Sequence, residues 1–215
     1  MKQIITYIVM SLQISLATAW FPESPNDIYH TCGGVLLNSD WVLTAAHCIV
    51  WFDLAFIELN ESAPITNKIQ PATLPYPGHI LSNNPECYAT GWGSLSSHID
   101  CISSADGPSP STLQQAKLPF VSYAKCSSSE YWGTTVKPSM ICAGDSLHST
   151  CYGDSGGPLN CKTDRGWEVH GITSFGFPTS CNFDTKPNVF TRVSGYSAWI
   201  TSITGMQFPT TVRNS

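Results

Sequence analysis

Charge is scarce in this 215-residue chain. Asp, Glu, Lys and Arg make up 12% of it, Lys and Arg together number 10 without clustering, and the formal net charge is -5. Nucleic acid or an anionic membrane surface calls for a basic patch, so neither partner is expected. Long apolar runs are missing as well. The one candidate, Ile4 to Leu16, is interrupted by Thr6, Ser11, Gln13 and Ser15 and is too short to span a bilayer. No cysteines stand in a CxxC pair, which leaves structural zinc a weak alternative, and no segment repeats at a fixed short period, which removes solenoids and propellers.

Turn formers and cysteines are what the chain does have: 16 Gly, 15 Pro and 9 Cys. Short apolar runs bounded by Gly, Pro, Ser or Asn recur, among them "GGVLLNSDWVLTAA", "FDLAFIEL", "CYATGWG", "AKLPFVSY", "SMICAG", "EVHGITSFG" and "NVFTRV". Their length and turn chemistry predict an all-β sandwich or barrel. Only "VSGYSAWITSI" spaces Val193, Tyr196, Trp199, Ile200 and Ile203 like one helix face. The Ser/Pro-rich stretch around Cys101 predicts a surface loop, and the residues from Gly205 a polar tail.

At the N-terminus, Lys2 precedes the apolar run, and Ala17-Thr18-Ala19 forms an A-x-A site. This predicts a leader over residues 1–19, cleaved before Trp20. Nine cysteines in so short a chain argue, with that leader, for secretion into an oxidising space and a disulfide framework. Asn60-Glu61-Ser62 is a glycosylation sequon that such a route would make usable.

Two short motifs carry chemistry. In Gly153-Asp154-Ser155-Gly156-Gly157-Pro158, glycines flank a serine. A nucleophilic serine needs its oxygen exposed on a tight turn, with backbone N–H groups free to approach a developing oxyanion. In Leu43-Thr44-Ala45-Ala46-His47-Cys48, small residues and a cysteine surround a histidine, which suits a general base whose ring must be held in one orientation.

Together with "YHTCGG", "TLQQA", "YWGTTVK", "CAGD", "CYGDSGGPLNC", "VHGITSF" and "VFTRVS", these motifs make the chain resemble the chymotrypsin-like serine proteases, and within them the pancreatic elastase branch. The resemblance runs from Tyr29 to about Ile203. It implies a double antiparallel β-barrel with a C-terminal helix and an active site in the cleft between the barrels. It implies His47 as general base, Asp53 as the group that orients it and Ser155 as nucleophile, with the N–H groups of Gly153 and Ser155 forming the oxyanion hole. Ser174 matches the serine that packs against the buried aspartate, and Ser174-Phe175-Gly176 the segment that pairs with substrate backbone.

The resemblance also implies four disulfides: Cys32–Cys48, Cys87–Cys161, Cys126–Cys142 and Cys151–Cys181. Cys101 is left over, as a free thiol, an intermolecular partner or an inert loop residue. Ser149 occupies the floor position where a trypsin holds an aspartate, so cleavage after Arg or Lys is not expected. Gly176 opens one wall of the specificity pocket. Asn188 either narrows the opposite wall with a polar amide, favouring medium-sized uncharged side chains, or points away and leaves a wide pocket. No metal or other cofactor is expected; the expected partners are protein or peptide substrates and protease inhibitors, met by a monomer.

The sequence departs from the family pattern in two places. In the chymotrypsin arrangement the base and the aspartate lie about 45 positions apart, and the aspartate and nucleophile about 93. Here the gaps are 6 and 102. The missing stretch would supply strands of the first barrel and, in pancreatic elastases, a calcium loop, so an incomplete first barrel (about 28–80) is expected before the second (about 81–195) and a helix over about 196–204. The chain also has no Arg or Lys between Lys2 and Cys32 and no Ile/Val-Val-Gly-Gly start, so the activation terminus that pairs with the aspartate before the nucleophile, here Asp154, is missing. A buried unpaired carboxylate is costly, and Asp154 is expected to turn outward. Two functions follow: a secreted serine endopeptidase acting through an acyl-enzyme on Ser155, or a catalytically impaired protease-like fold, from a splice or gene-model variant, that is at most a binding module.

Overall fold

The computed structural model describes residues 4–8, 16–24, 27–49, 54–81, 84–95, 110–177 and 181–210. Asp53 and Cys101 lie outside these residues. Two antiparallel sheets make up the molecule. The first has five strands in the order β1 (Ile4–Ile8), β2 (Leu16–Ser24), β3 (Asp27–Leu36), β4 (Trp41–Thr44) and β5 (Ala55–Glu58). The second has seven: β6 (Cys87–Gly91), β7 (Gln114–Lys117), β8 (Phe120–Val121), β9 (Met140–Ala143), β10 (Pro158–Thr163), β11 (Gly166–Phe175) and β12 (Asn188–Arg192), ordered β7-β6-β10-β11-β12-β9-β8. The apolar runs of the sequence fall on strands as expected. Among the strands they do not announce is β10, which begins on the last residue of the Gly-rich serine motif.

The hairpin β3–β4 follows directly from its residues. Asn38 closes the turn by accepting the N–H groups of Asp40 and Trp41 at 2.9 Å each, the local bonding that makes Asn a turn former. Register then sets Val35 opposite Leu43 and Leu36 opposite Val42. The pleat sends alternate side chains to opposite faces. Val35, Leu37 and Leu43 enter a core shared with Val169 and Ile172 of β11, while Leu36 and Val42 pack with Ala63 in a smaller cluster. The shared core is what joins the two sheets.

Of the residues that read as a leader in the sequence, 4–8 and 16–19 are strand residues here. β1 pairs with β2 in the register Ile4↔Trp20, and β2 pairs with β3 in the register Ala19↔Cys32. The expected cleavage point, between Ala19 and Trp20, therefore falls inside a nine-residue strand. A short, mostly apolar run suits a leader and a buried sheet strand alike, and periodicity alone cannot separate the two.

At the other end, a 3-10 turn (Val193–Tyr196) leads into the C-terminal helix α2 (Ser197–Thr204), the second after the short α1 (Tyr123–Cys126). Gly205, at φ 70°, ends it in the left-handed conformation that glycine adopts without strain. Val193 and Ile200 are fully buried, whereas Trp199 and Ile203 remain exposed, so only part of the expected apolar face is covered. Trp199 does stack on Phe56 of β5, with ring centroids 4.5 Å apart.

One buried polar cluster sits beside the shared core. Glu168 and His170, both on β11 and both 1% exposed, contact each other at 3.0 Å. Arg165 pairs with Glu168, donates to the Leu74 carbonyl at 2.7 Å and lies over the Tyr76 ring. Burial holds the His170 imidazole down at about 4, against the opposing pull of the Glu168 carboxylate.

Candidate active site

Ser155 lies on a double turn between the Cys151–Cys181 disulfide and β10. The Asp154 N–H donates to the Cys151 carbonyl and the Gly157 N–H to the Asp154 carbonyl, both at 3.0 Å. Turns this tight force positive φ at Gly153 (96°) and Gly156 (77°), where a side chain would be strained. At Gly156 space is also decisive, because a Cβ would collide with Thr44 Oγ1 and the Gly33 carbonyl. Among the described residues, the N–H groups of Gly153 and Ser155 make no backbone hydrogen bond, while those of Asp154, Gly156 and Gly157 all do. These two open donors are the pair expected for an oxyanion.

The first sheet meets this turn edge-on. The Gly33 N–H donates to the Ser155 carbonyl at 2.7 Å, and Thr44 Oγ1 donates to the Gly33 carbonyl at 2.8 Å. His47 follows Thr44 by three residues, exposed on a 3-10 turn (Ala46–Cys48), while Ala45 and Ala46 beneath it are fully buried. The Cys32–Cys48 disulfide ties that turn back to β3. On the other side, the Gly156 N–H donates to the Thr173 carbonyl and the Thr173 N–H to the Gly157 carbonyl, each at 2.9 Å. Ser155 is thereby seated between the histidine segment and Ser174-Phe175-Gly176. Sequence reasoning does not single out Gly33 or Thr44; their only signal is membership of the glycine pair and the small-residue run beside the two expected disulfide cysteines.

Asp154 does not turn outward. It points inward and is partly buried, with Oδ1 accepting from the Gly93 N–H and Oδ2 from the Cys151 N–H, both at 2.9 Å. Two backbone donors offset much of the desolvation that an unpaired carboxylate suffers, which is why the outward expectation fails. Burial still raises its pKa above the ordinary aspartate value. The neighbouring His30 ring sits 2.8 Å through Nε2 from the Gly153 carbonyl, and burial lowers its pKa, so it presents a largely neutral ring rather than a full cation.

A cavity of about 190 Å³ opens beside Ser155, lined by Thr150, Cys151, Ser174, Phe175, Gly176 and Asn188 among others. Asn188 faces this cavity. Its Oδ1 accepts the Thr150 N–H at 2.8 Å and its Nδ2 donates to the Thr150 carbonyl at 3.2 Å, so the amide is held by both ends. A Cβ at position 176 would lie 2.6 Å from Asn188 Nδ2; glycine is required there for the amide to stay. Phe175 packs edge-on against Trp132 at 5.3 Å, and Trp132 donates to the Pro187 carbonyl. Ser149, expected at the floor, bonds through its hydroxyl to Asn182 and, with Thr150 and Asp154, lines an adjoining cavity. Thr150, one residue on, is the polar residue that meets Asn188.

All four disulfides implied by the resemblance are present: Cys32–Cys48, Cys87–Cys161, Cys126–Cys142 and Cys151–Cys181. Among the described residues no group of three or more His, Cys, Asp or Glu side chains could hold a metal ion, and no helix is long and apolar enough to cross a membrane.

Known proteins resemble this chain over most of its length. The profile of the family described as Trypsin matches residues 11–51 and 50–200. Chymotrypsin-like elastase family member 3A of Homo sapiens is 42% identical over 223 residues, spanning 83% of this chain and 80% of its own. Chymotrypsin-like elastase family member 1 is 40% identical in Rattus norvegicus (81% and 79% covered) and 39% identical in Bos taurus (89% and 82%). The two parts of the profile match meet between His47 and Asp53, at the shortened link. The first part begins at residue 11, inside the segment expected as a leader.

Proposed function

The chain belongs to the trypsin family of serine endopeptidases, in its elastase branch, and from that premise we propose that Ser155, His47 and Asp53 form its catalytic triad. His47 takes the Ser155 hydroxyl proton as the oxygen attacks the scissile carbonyl, and then gives that proton to the leaving amine. Asp53 holds the imidazole in the tautomer that leaves one ring nitrogen facing serine. The tetrahedral oxyanion accepts from the N–H groups of Gly153 and Ser155, and water later reverses the sequence to release the acyl group.

The observation that carries this reading is the pair of open donors at Gly153 and Ser155, on a turn locked to the His47 segment through Gly33 and Thr44. The cavity beside Ser155 supports a preference for uncharged, medium-sized side chains, because its polar lining is neutral, the Asn188 amide included, and among its lining residues none is charged. Secretion is supported by four disulfides, which persist in oxidising compartments. The molecule acts as a monomer on protein or peptide substrates, and protease inhibitors that enter the same cleft are its expected ligands.

A second reading, a protease fold with impaired turnover, is favoured by one feature: Asp154 points inward onto backbone donors and beside a mostly neutral histidine rather than a cation. Labelling of the folded, purified chain with a fluorophosphonate probe decides between them. Labelling that disappears in Ser155→Ala establishes a working nucleophile and base. Folded protein that takes up no label leaves the fold as a binding module.

A further inference from the structure

A second cavity, of about 300 Å³, shares no residue with the one beside Ser155. Its walls come from Phe120 and Val121 of β8, Tyr123 of α1 and Met140 of β9, with Ile80 at its side, 75% exposed. The volume lies at the lower end for small-molecule sites, which are commonly apolar with a few placed polar groups. Here the placed group is Arg192, the last residue of β12.

Arg192 is unlike the other well-packed arginine. Arg165 has a carboxylate, a carbonyl and an aromatic face as partners. Among the described residues Arg192 forms no ion pair, and its Nε–H is buried without a hydrogen-bond partner. Its backbone is fixed by donation to the Ser139 carbonyl at 2.8 Å, and its guanidinium passes beside Gly195, where even a Cβ would make only ordinary contact, 3.6 Å from the nearest nitrogen. A guanidinium is always charged and matches a planar carboxylate with parallel N–H donors. An apolar chamber with one unanswered cation in its wall is complementary to one class of ligand.

We propose that this chamber binds an apolar carboxylate, with its hydrocarbon part against Phe120, Val121 and Met140 and its carboxylate on the Arg192 guanidinium. Two sources share that chemistry: a fatty acid, and a peptide ending in an apolar residue. The inference stands on the chamber alone and does not depend on Ser155 being active.

Titration calorimetry of the folded full chain with octanoate, octanol and N-acetyl-leucine tests it. Octanoate should saturate at one site per chain and bind about tenfold or more tighter than octanol, the margin of one charge-assisted contact. Arg192→Gln should remove that margin. Because Ile80 is exposed, Ile80→Asp and Ile80→Lys will fold; the aspartate should weaken octanoate severalfold and the lysine should not. N-acetyl-leucine that displaces octanoate assigns the site to peptide C-termini, and failure to displace it assigns the site to fatty acids. Octanol binding as tightly as octanoate, equal affinities for the two Ile80 variants, or no saturable binding of octanoate would each overturn the proposal.

Discussion

Thr44, the last residue of β4, lies directly opposite Ala55, the first residue of β5. The strands on either side of the shortened link between His47 and Asp53 are therefore paired antiparallel with each other. The two strands that border the candidate base and its orienting aspartate are neighbours in the sheet, so a stretch can be missing between them without separating the strands themselves. What changes is the outer edge: β5 ends the sheet, with Ala55, Phe56 and Ile57 only partly buried.

The Thr44 hydroxyl should matter more than its size. Thr44→Val keeps the shape but removes the donor to the buried Gly33 carbonyl, whose own N–H holds Ser155. Leaving a buried acceptor unmet costs about 1–3 kcal/mol. Thermal unfolding should show that loss, and fluorophosphonate labelling of Ser155 should slow as the turn loosens.

Replacing both Cys32 and Cys48 by alanine should destabilise the protein by about 3 kcal/mol, the value for closing a loop of this length. The two cysteines are 16 positions apart and hold the His47 turn to β3. Denaturant unfolding checks the stability, and a fall in the labelling rate larger than that of a distant disulfide variant, Cys126→Ala/Cys142→Ala, checks the positioning.

Asn188→Gly should enlarge the cavity beside Ser155 and free Thr150 from both amide bonds. The ratio of kcat/KM for phenylalanyl over alanyl substrates should rise by about tenfold or more, the range expected when a pocket accepts a larger apolar group. An unchanged ratio would show that the amide does not limit what enters.

Stability should fall in mild acid because of His170. Its pKa is about 4 in the folded chain, against an ordinary histidine value of 6.5, so below about 6.5 the unfolded chain takes up a proton that the folded chain refuses. The loss grows as pH falls from 6.5 to 4 and reaches about 3 kcal/mol, since each pH unit between those two values contributes about 1.36 kcal/mol. Urea unfolding at about pH 7, 6 and 5 spans most of that window and measures it. His170→Asn should flatten the dependence.

Much of this molecule is legible in its residues. The Gly-rich turn at Ser155 can be read because positive φ and close approach at Gly153 and Gly156 leave glycine little competition, and the strands can be read from apolar runs ended by turn formers. The four disulfides come through resemblance rather than spacing, since eight cysteines alone permit many pairings. The N-terminal run reads two ways, because a short apolar run serves a leader and a strand equally well. Asp154 misleads for a different reason: its inward placement depends on N–H groups at Gly93 and Cys151, the first 61 positions away, which no local pattern reveals.

Sequence by itself determined the chemistry available here: which side chains can attack, take a proton or bridge, and where the backbone must bend to let them. Tertiary structure decided which of those groups meet. The bond from Gly33 to Ser155, the Asn188 amide clasping Thr150, the direct pairing of β4 with β5 and the unanswered Arg192 cation in an apolar wall all join residues separated along the chain. Such contacts arise from sheet packing and shared burial, which act through space and leave no mark on the order of the residues.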